Sequence, residues 1–420
     1  MRPGDPGHVC FIGAGTMGCY NALLASLAGY DVVIYDISRE TLFGVPQTIS
    51  AMGAQMVAAG LQDVDAVEGA KSRIATQHDL TAALYGAKLV SESIFENLEI
   101  KRELFADLDA RCPSDVMLTT NSSSLMVSDI EDALVDGSRF AALHSHLGAM
   151  LFDIVPGPRT APETTAALKD YVSNLGGISL VLNKENKGYV FNAMIGPVLT
   201  TAMLQVIDGA ASMEDVDRAW MKRTGSPMGP FGMMDLFGTA LIYDSWKNRP
   251  AMPDQPLMDL MKRKVLSFLA PIVGSGRLGM KSGHGFYTYP DPAYSRPGFL
   301  DGYPEISGAD YALTSAWTQN AALIAANDVA EPHDIDRAWI AATRQAKGPF
   351  AILDDIGLER ALTLFAVTGP LAGIENIAKV SGCLLGKLGE GCPGAAGGKG
   401  FYDYPEPAYA EAGFVGGGAI

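Results

Sequence analysis

A glycine-rich turn followed at a fixed distance by an acid is the first pattern in this chain that could do chemistry. Gly13-Ala14-Gly15-Thr16-Met17-Gly18 follows the apolar run Val9-Cys10-Phe11-Ile12 and opens a helix-like stretch from Cys19 to Gly29. A second apolar run, Val32-Val33-Ile34-Tyr35, ends in Asp36, eighteen residues after the last glycine. Each residue type has a physical task in holding a dinucleotide. Gly13 permits a tight turn, Gly15 lets backbone approach a pyrophosphate, and Gly18 lets the helix pack close to its strand. The helix start, at Thr16 and Met17, offers unpaired N–H groups and the positive end of the helix dipole to phosphate. Asp36 is placed to accept hydrogen bonds from a ribose 2′-OH and to repel a 2′-phosphate, so the pattern favours NAD(H) over NADP(H). Ser38 and Arg39, close by in sequence, leave some NADPH use open.

The elements around this turn alternate between strand-like and helix-like patterns up to about residue 183, as in a parallel α/β sheet of the Rossmann, doubly wound type. Strand-like runs cover Ala87–Ile94, Val116–Thr120, Phe140–His144 and Gly177–Leu182, with a charged helix from Leu98 to Cys112. In such sheets ligands sit at the carboxyl ends of the strands, where Asn121, Ser123 and His144 all fall. Beyond residue 183 the chain becomes apolar and helical, broken by Gly and Pro, and it repeats itself. Asp215-Val216-Asp217-Arg218-Ala219-Trp220 recurs as Asp334-Ile335-Asp336-Arg337-Ala338-Trp339, and Gly229-Pro230-Phe231 recurs as Gly348-Pro349-Phe350. Gly283-His284-Gly285-Phe286-Tyr287 returns as Gly398-Lys399-Gly400-Phe401-Tyr402. The reading is therefore a Rossmann-type domain over 1–183 and two tandem all-α domains, 184–295 and 303–420.

Composition sets the bounds. The chain has 420 residues, 31 Lys and Arg against 47 Asp and Glu, and a net charge of −16. That balance argues against nucleic acid as a partner. Five scattered cysteines form no CxxC pair and read as reduced thiols in a cytoplasmic protein, with neither disulfides nor a metal site expected. No apolar run approaches the ~18 residues that a membrane span requires, and no secretory signal pattern opens the sequence.

The glycine turn, the Asn-Ser-Ser-Ser loop at 121–124, Arg139-Phe140-Ala141-Ala142-Leu143-His144 and the Gly-Pro-Phe helical segment occur in one order along the chain. In this the sequence resembles the 3-hydroxyacyl-CoA dehydrogenases, over essentially its whole length, including the duplicated helical domain of some larger members. The resemblance implies an NAD-dependent enzyme that interconverts a secondary alcohol β to a carbonyl and its ketone. It implies a catalytic histidine at His144, a serine at Ser123 that contacts the reacting oxygen, and a helical-domain asparagine at Asn192. Glu96 and Lys101 match residues lining the cofactor site, and Asn121 is counted with them. The chemistry is coherent in its own terms. A neutral imidazole accepts the alcohol proton near neutral pH, a carboxylate behind it fixes the tautomer, and hydroxyl and amide groups steady the developing negative oxygen.

Two departures from that pattern bear on the site and the substrate. After the histidine the family typically reads His-Phe-Phe-Asn-Pro, whereas here the run is His144-Ser145-His146-Leu147-Gly148, with Asp153 as the only carboxylate nearby. Asp153 is expected to complete the pair, with His146 as the alternative. From Thr41 through Ala70 there is no Lys or Arg, where relatives usually carry basic residues for the CoA phosphates. Lys71 and Arg73 are the only obvious replacements. Substrates of two kinds therefore stay open, a CoA thioester and a smaller hydroxy acid or polar alcohol, and a third reading is a catalytically retired NAD-binding structural protein. The second helical copy carries Thr314 where the first has Asn192, so no second active site is expected. Its expected role is to cover the first copy as an internal pseudo-dimer, with further homo-oligomerisation open.

Overall fold

The computed structural model describes residues 2–249, 256–368 and 374–416. Its contacts separate two compact units, one built on the residues up to Val190 and one on Phe191–Asn327 with Glu331–Glu411. The passage between them falls at Val190, a little beyond the boundary read at residue 183, and both helical copies share the second unit.

The first unit carries strands β1 (His8–Ile12), β2 (Val32–Tyr35), β3 (Ile74–Gln77), β4 (Ala87–Glu92), β5 (Met117–Thr120), β6 (Phe140–Ser145), β7 (Leu151–Pro156) and β8 (Ile178–Val181). They form one sheet in the order β3-β2-β1-β4-β5-β6-β7-β8. Pairing is parallel from β3 through β6. It turns antiparallel between β6 and β7 and parallel again between β7 and β8. The wholly parallel sheet suggested by the alternating pattern is thus broken at one junction, where a short turn leaves room only for a hairpin. Helices α1 (Thr16–Leu27), α2 (Arg39–Ala58), α3 (Val64–Lys71), α4 (Leu80–Leu84), α5 (Leu98–Arg111), α6 (Val127–Glu131) and α7 (Pro162–Asn174) connect the strands. Several start where a side chain satisfies a free N–H group: Ser38 caps Thr41, Asp63 caps Ala66 and Asn97 caps Ile100. Between β1 and β4 the strand order reverses direction, which opens the crevice where such sheets bind ligands.

The second unit contains α8 (Phe191–Ile207), α9 (Met213–Thr224), α10 (Pro230–Phe237), α11 (Thr239–Lys247) and α12 (Pro256–Gly274) as its first copy. The second copy is α13 (Gly308–Ala326), α14 (Pro332–Thr343), α15 (Pro349–Ile356), α16 (Leu358–Thr368) and α17 (Ile374–Gly389). Hydrogen bonds explain why the repeated residues repeat. Buried Asp217 accepts from the N–H groups of Phe231 and Gly232 at the start of α10 and from the Tyr287 hydroxyl. Asp336 does the same for Phe350, Ala351 and Tyr402. Asp235 and Asp354 each gather two further N–H groups and a tyrosine hydroxyl in the Gly-x-Gly-Phe-Tyr segment. Each copy is therefore tied together through its own pair of buried carboxylates.

The two copies meet through α8 and α13. Trp220 and Trp339, at equivalent positions, lie 6.2 Å apart, and Trp317 packs 5.3 Å from the first and 4.7 Å from the second. Arg223 of the first copy pairs with buried Asp310 of the second. Thr314 is buried and donates its hydroxyl to Asp310. Burying aromatic rings of this size contributes several kcal/mol in total, at ~25 cal/mol per Å². Removal of residues from 303 onward should strip that cover from α8 and α9. The expected result by light scattering is aggregation or new dimerisation, with lower thermal stability. A truncated chain that stays monomeric and as stable as the full one would contradict this role for the second copy.

Candidate active site

The nucleotide cradle is built at the β1–α1 junction. Gly13 has φ +102°, a conformation that L side chains rarely adopt. A Cβ on Gly18 would lie 1.8 Å from the Gly13 carbonyl oxygen, so only glycine lets α1 start there. Gly15 faces open space, with nothing within 4 Å of where its Cβ would be, and no side chain caps the helix start. Exposed Thr16 and half-buried Met17 sit on that first turn. The arrangement fits the pyrophosphate of NAD, whose anionic oxygens would occupy the space over Gly15 and satisfy the free N–H groups. Asp36 lies at the end of β2 with one oxygen accepting from Ala14 N–H and the other from Ser38 N–H, both at 2.8 Å. Those bonds fix the carboxylate beside the turn and leave lone pairs for a ribose diol.

A buried ion pair stands behind the next loops. Lys101, on α5, is 1% exposed and lies 2.5 Å from Glu92 at the end of β4. It is also 3.5 Å from Glu96. Thr120 and Ile94 N–H complete the Glu92 carboxylate. Lys101, expected to line the cofactor site, thus acts from the interior, because a buried ammonium needs a paired carboxylate. Glu96 accepts from the Ser122 hydroxyl at 2.5 Å and from the Ser124 hydroxyl and N–H. Burial would raise the Glu96 carboxyl, but the Ser122, Lys101 and Ser124 contacts together hold it below its usual range. Asn121 is bound through its N–H to the Glu92 carbonyl and through its side-chain oxygen to Ser145. The Asn-Ser-Ser-Ser loop is therefore clamped on both sides of Ser123, which is half-buried.

At the end of β6 the antiparallel register sets His144 directly opposite Asp153 on β7. Their side chains meet, with His144 Nδ1 3.0 Å from Asp153 Oδ2. His146, two residues on, places its Nε2 2.9 Å from the same oxygen. The structure thus joins both sequence candidates: Asp153 bridges the two rings, whose centroids are 4.5 Å apart. Burial would push the Asp153 carboxyl up, yet the charge of His146 and the bonds from both imidazoles hold it down at about 2. Burial also lowers His144, against the pull of Asp153. An ionised carboxylate can only accept, so both imidazoles donate to it and His144 keeps a lone pair on Nε2. That is the tautomer a general base requires.

Three residues that support the site or its loops carried no clear signal in the sequence. Glu92 was legible only as an acid inside an apolar strand. Tyr189, at φ +49°, packs its ring 5.4 Å from His144 and donates its hydroxyl to the Ser122 carbonyl. Tyr20 holds the β6–β7 turn, accepting from Gly148 N–H and donating to the Ala149 carbonyl. Asn192 stands half-buried in the first turn of α8, in the second unit.

The chain matches the family model for the 3-hydroxyacyl-CoA dehydrogenase NAD binding domain over residues 8–185. The model of the 3-hydroxyacyl-CoA dehydrogenase C-terminal domain matches twice, over 188–289 and 312–404. The mitochondrial hydroxyacyl-coenzyme A dehydrogenase of Homo sapiens is 33% identical, over 67% of this chain and 91% of that protein. A 3-hydroxyadipyl-CoA dehydrogenase of Escherichia coli is 32% identical, over 67% of this chain and 58% of that one. Among solved structures, a diketoreductase of dicarbonyl compounds is 29% identical with TM-score 0.62, covering 68% of this chain and 99% of that one. The fold of a 3-hydroxybutyryl-CoA dehydrogenase from E. coli K12 extends over 92% of this chain and all of that one, with TM-score 0.74 at 21% identity. Two helical-domain matches behind one nucleotide-binding match reproduce the internal repeat read from the sequence. The chain belongs to the 3-hydroxyacyl-CoA dehydrogenase family, as an NAD-dependent oxidoreductase acting on CH–OH whose C-terminal domain is present twice.

Proposed function

We propose that this enzyme oxidises a 3-hydroxyacyl group to its 3-keto form, or runs the reverse reduction, with His144 as general base and acid. The observation that carries this reading is the His144–Asp153 hydrogen bond at 3.0 Å, which leaves Nε2 as the acceptor. Bound NAD⁺ supplies the hydride acceptor. The chain's residues handle the proton and the oxygen. His144 Nε2 takes the hydroxyl proton, and Asp153 steadies the imidazolium that forms. Ser123 and Asn192 are assigned to the reacting oxygen, where a hydroxyl and an amide donate as negative charge grows. Gly13, Gly15, Thr16, Met17 and Gly18 hold the pyrophosphate, and Asp36 reads the unphosphorylated ribose. Glu96 and Asn121 shape the nicotinamide side, with Lys101 fixing them from behind. A dyad built this way supports a working enzyme over a retired NAD-binding protein, and five free cysteines fit a reducing compartment such as the cytoplasm.

Names of the relatives favour a CoA thioester as substrate. One feature favours a smaller molecule instead. The stretch from Thr41 through Ala70 has no cation, Lys71 is held 2.8 Å from Glu68, and Arg73 bonds the Gly69 carbonyl. Multiply charged CoA phosphates ordinarily meet free Lys or Arg. An NADH-absorbance assay over matched 3-keto CoA thioesters and free 3-keto acids decides between the two. Saturation by thioesters alone supports the first reading, and saturation by free acids alone replaces it with the second.

Two substitutions test the assigned roles. His144→Asn should lower turnover about a hundredfold or more, the usual weight of a general base, while NADH affinity by fluorescence stays near native. Near-native turnover would remove His144 from the mechanism. Asp36→Ala should weaken NADH binding and narrow the gap to NADPH. Equal affinity of the unaltered protein for both cofactors would contradict the ribose role.

A further inference from the structure

The strand pair that makes the dyad has a second property. His144 lies in β6, and His146 is the residue just past the strand's last member, Ser145, with its N–H bonded to the Leu151 carbonyl at the start of β7. Asp153 on antiparallel β7 is paired with His144, and its carboxylate lies between the two rings. One oxygen, Oδ2, is 3.0 Å from His144 Nδ1 and 2.9 Å from His146 Nε2. The three potential ligand atoms lie within 4.8 Å of one another. The other oxygen, Oδ1, is buried and has no hydrogen-bond partner among the described residues. A buried acceptor without a donor is uncommon and calls for a physical reason.

We propose that His144, His146 and Asp153 form a binding site for a divalent transition-metal ion of the Zn²⁺ type, and that its occupation switches the enzyme off. Two imidazoles and one carboxylate are the donor set that suits Zn²⁺, Co²⁺ or Ni²⁺, whereas Mg²⁺ and Ca²⁺ prefer all-oxygen sites. Zinc holds such ligands at roughly 2.0–2.2 Å in tetrahedral geometry, which sets ligand atoms roughly 3.3–3.6 Å apart, so Asp153 Oδ2 has only to draw back by a few tenths of an ångström from each nitrogen to admit the ion. A metal between the rings would also take up the charge of Asp153.

The inhibition follows from the tautomer and rests on the role assigned to His144 above. A metal on Nδ1 leaves the imidazole proton on Nε2, the atom that has to accept the substrate proton. The ring can then neither take that proton nor readily give one up, and both directions of the reaction stop. His146 is the residue that turns a two-member pair into a three-ligand set.

The test separates binding from activity. The full-length protein, free of nucleotide, is titrated with Co²⁺ followed by visible absorption and with Zn²⁺ followed by calorimetry. One ion per chain is expected, and His146→Phe and His146→Gln should each lose about a hundredfold in metal affinity, at the upper end for a disturbed site. Both variants are checked by NADH binding, and the Gln variant retains a hydrogen-bond donor toward Asp153. Zn²⁺ should inhibit the native dehydrogenase reversibly, with recovery on EDTA, and should leave the residual activity of the variants untouched. Native metal affinity in both His146 variants, or no bound ion in the native protein, overturns the site. Binding at this site without loss of turnover overturns the switch. Metal binding is read without substrate, so a wrong assignment of the dehydrogenase substrate would leave this part of the result intact.

Discussion

The antiparallel pairing of β6 with β7 is the constraint on which the candidate active site depends. Every earlier junction in the sheet is parallel, and a parallel neighbour would need a crossover of a dozen or more residues between His144 and its carboxylate. Here the turn spans Leu147 to Met150 and is held by Tyr20, so Asp153 returns directly opposite His144. A side chain one methylene shorter than glutamate suffices because the strands themselves supply the approach. The same pairing buries Asp153 completely, so its charge persists only through donors, and both imidazoles serve. Displacing the register by one residue would turn Asp153 to the other face of the sheet and end the contact.

The loops around that pair are held by charges buried farther back. Glu92 and Lys101 neutralise each other in the interior, and their hydrogen bonds reach Thr120, Ile94 and Glu96. Glu96 then fixes Ser122 and Ser124, Tyr189 fixes the Ser122 carbonyl, and Asn121 reaches Ser145 beside His144. Ser123 is in this way presented by a loop hydrogen-bonded on both sides, which is the preorganisation that its proposed role at the reacting oxygen requires. The nucleotide turn works differently, through the absence of side chains. Gly18 admits the start of α1 and Gly15 leaves the anion space.

Much of this was legible in the sequence because its causes are local. The glycine turn with Asp36 follows from strand, turn and helix signals within thirty residues of chain, and the duplicated helical domain from identical motifs in identical order. What stayed illegible depends on register and burial. β3 (Ile74–Gln77) is half polar and lies at the sheet edge, so its pattern carries no strong signal. The reversal at β7 hides in an apolar run that reads the same in either direction. That His146 shares Asp153 with His144, when sequence offered them as alternatives, follows only once the hairpin is closed. Lys101 was matched to the cofactor site by family resemblance, and its burial against Glu92 was hidden because a charged helix ordinarily faces solvent and that partner sits inside a strand.

In the proposed reaction Asp153 holds His144 in the tautomer that accepts the substrate proton. The most direct measurement is the rate of NADH formation in a single turnover by Asp153→Asn, which keeps the side-chain shape and removes the charge. Hydride transfer should slow by orders of magnitude while NADH binding and thermal stability stay close to native. A variant that reduces NAD⁺ at the native rate would show that the carboxylate between the two histidines has no part in the reaction.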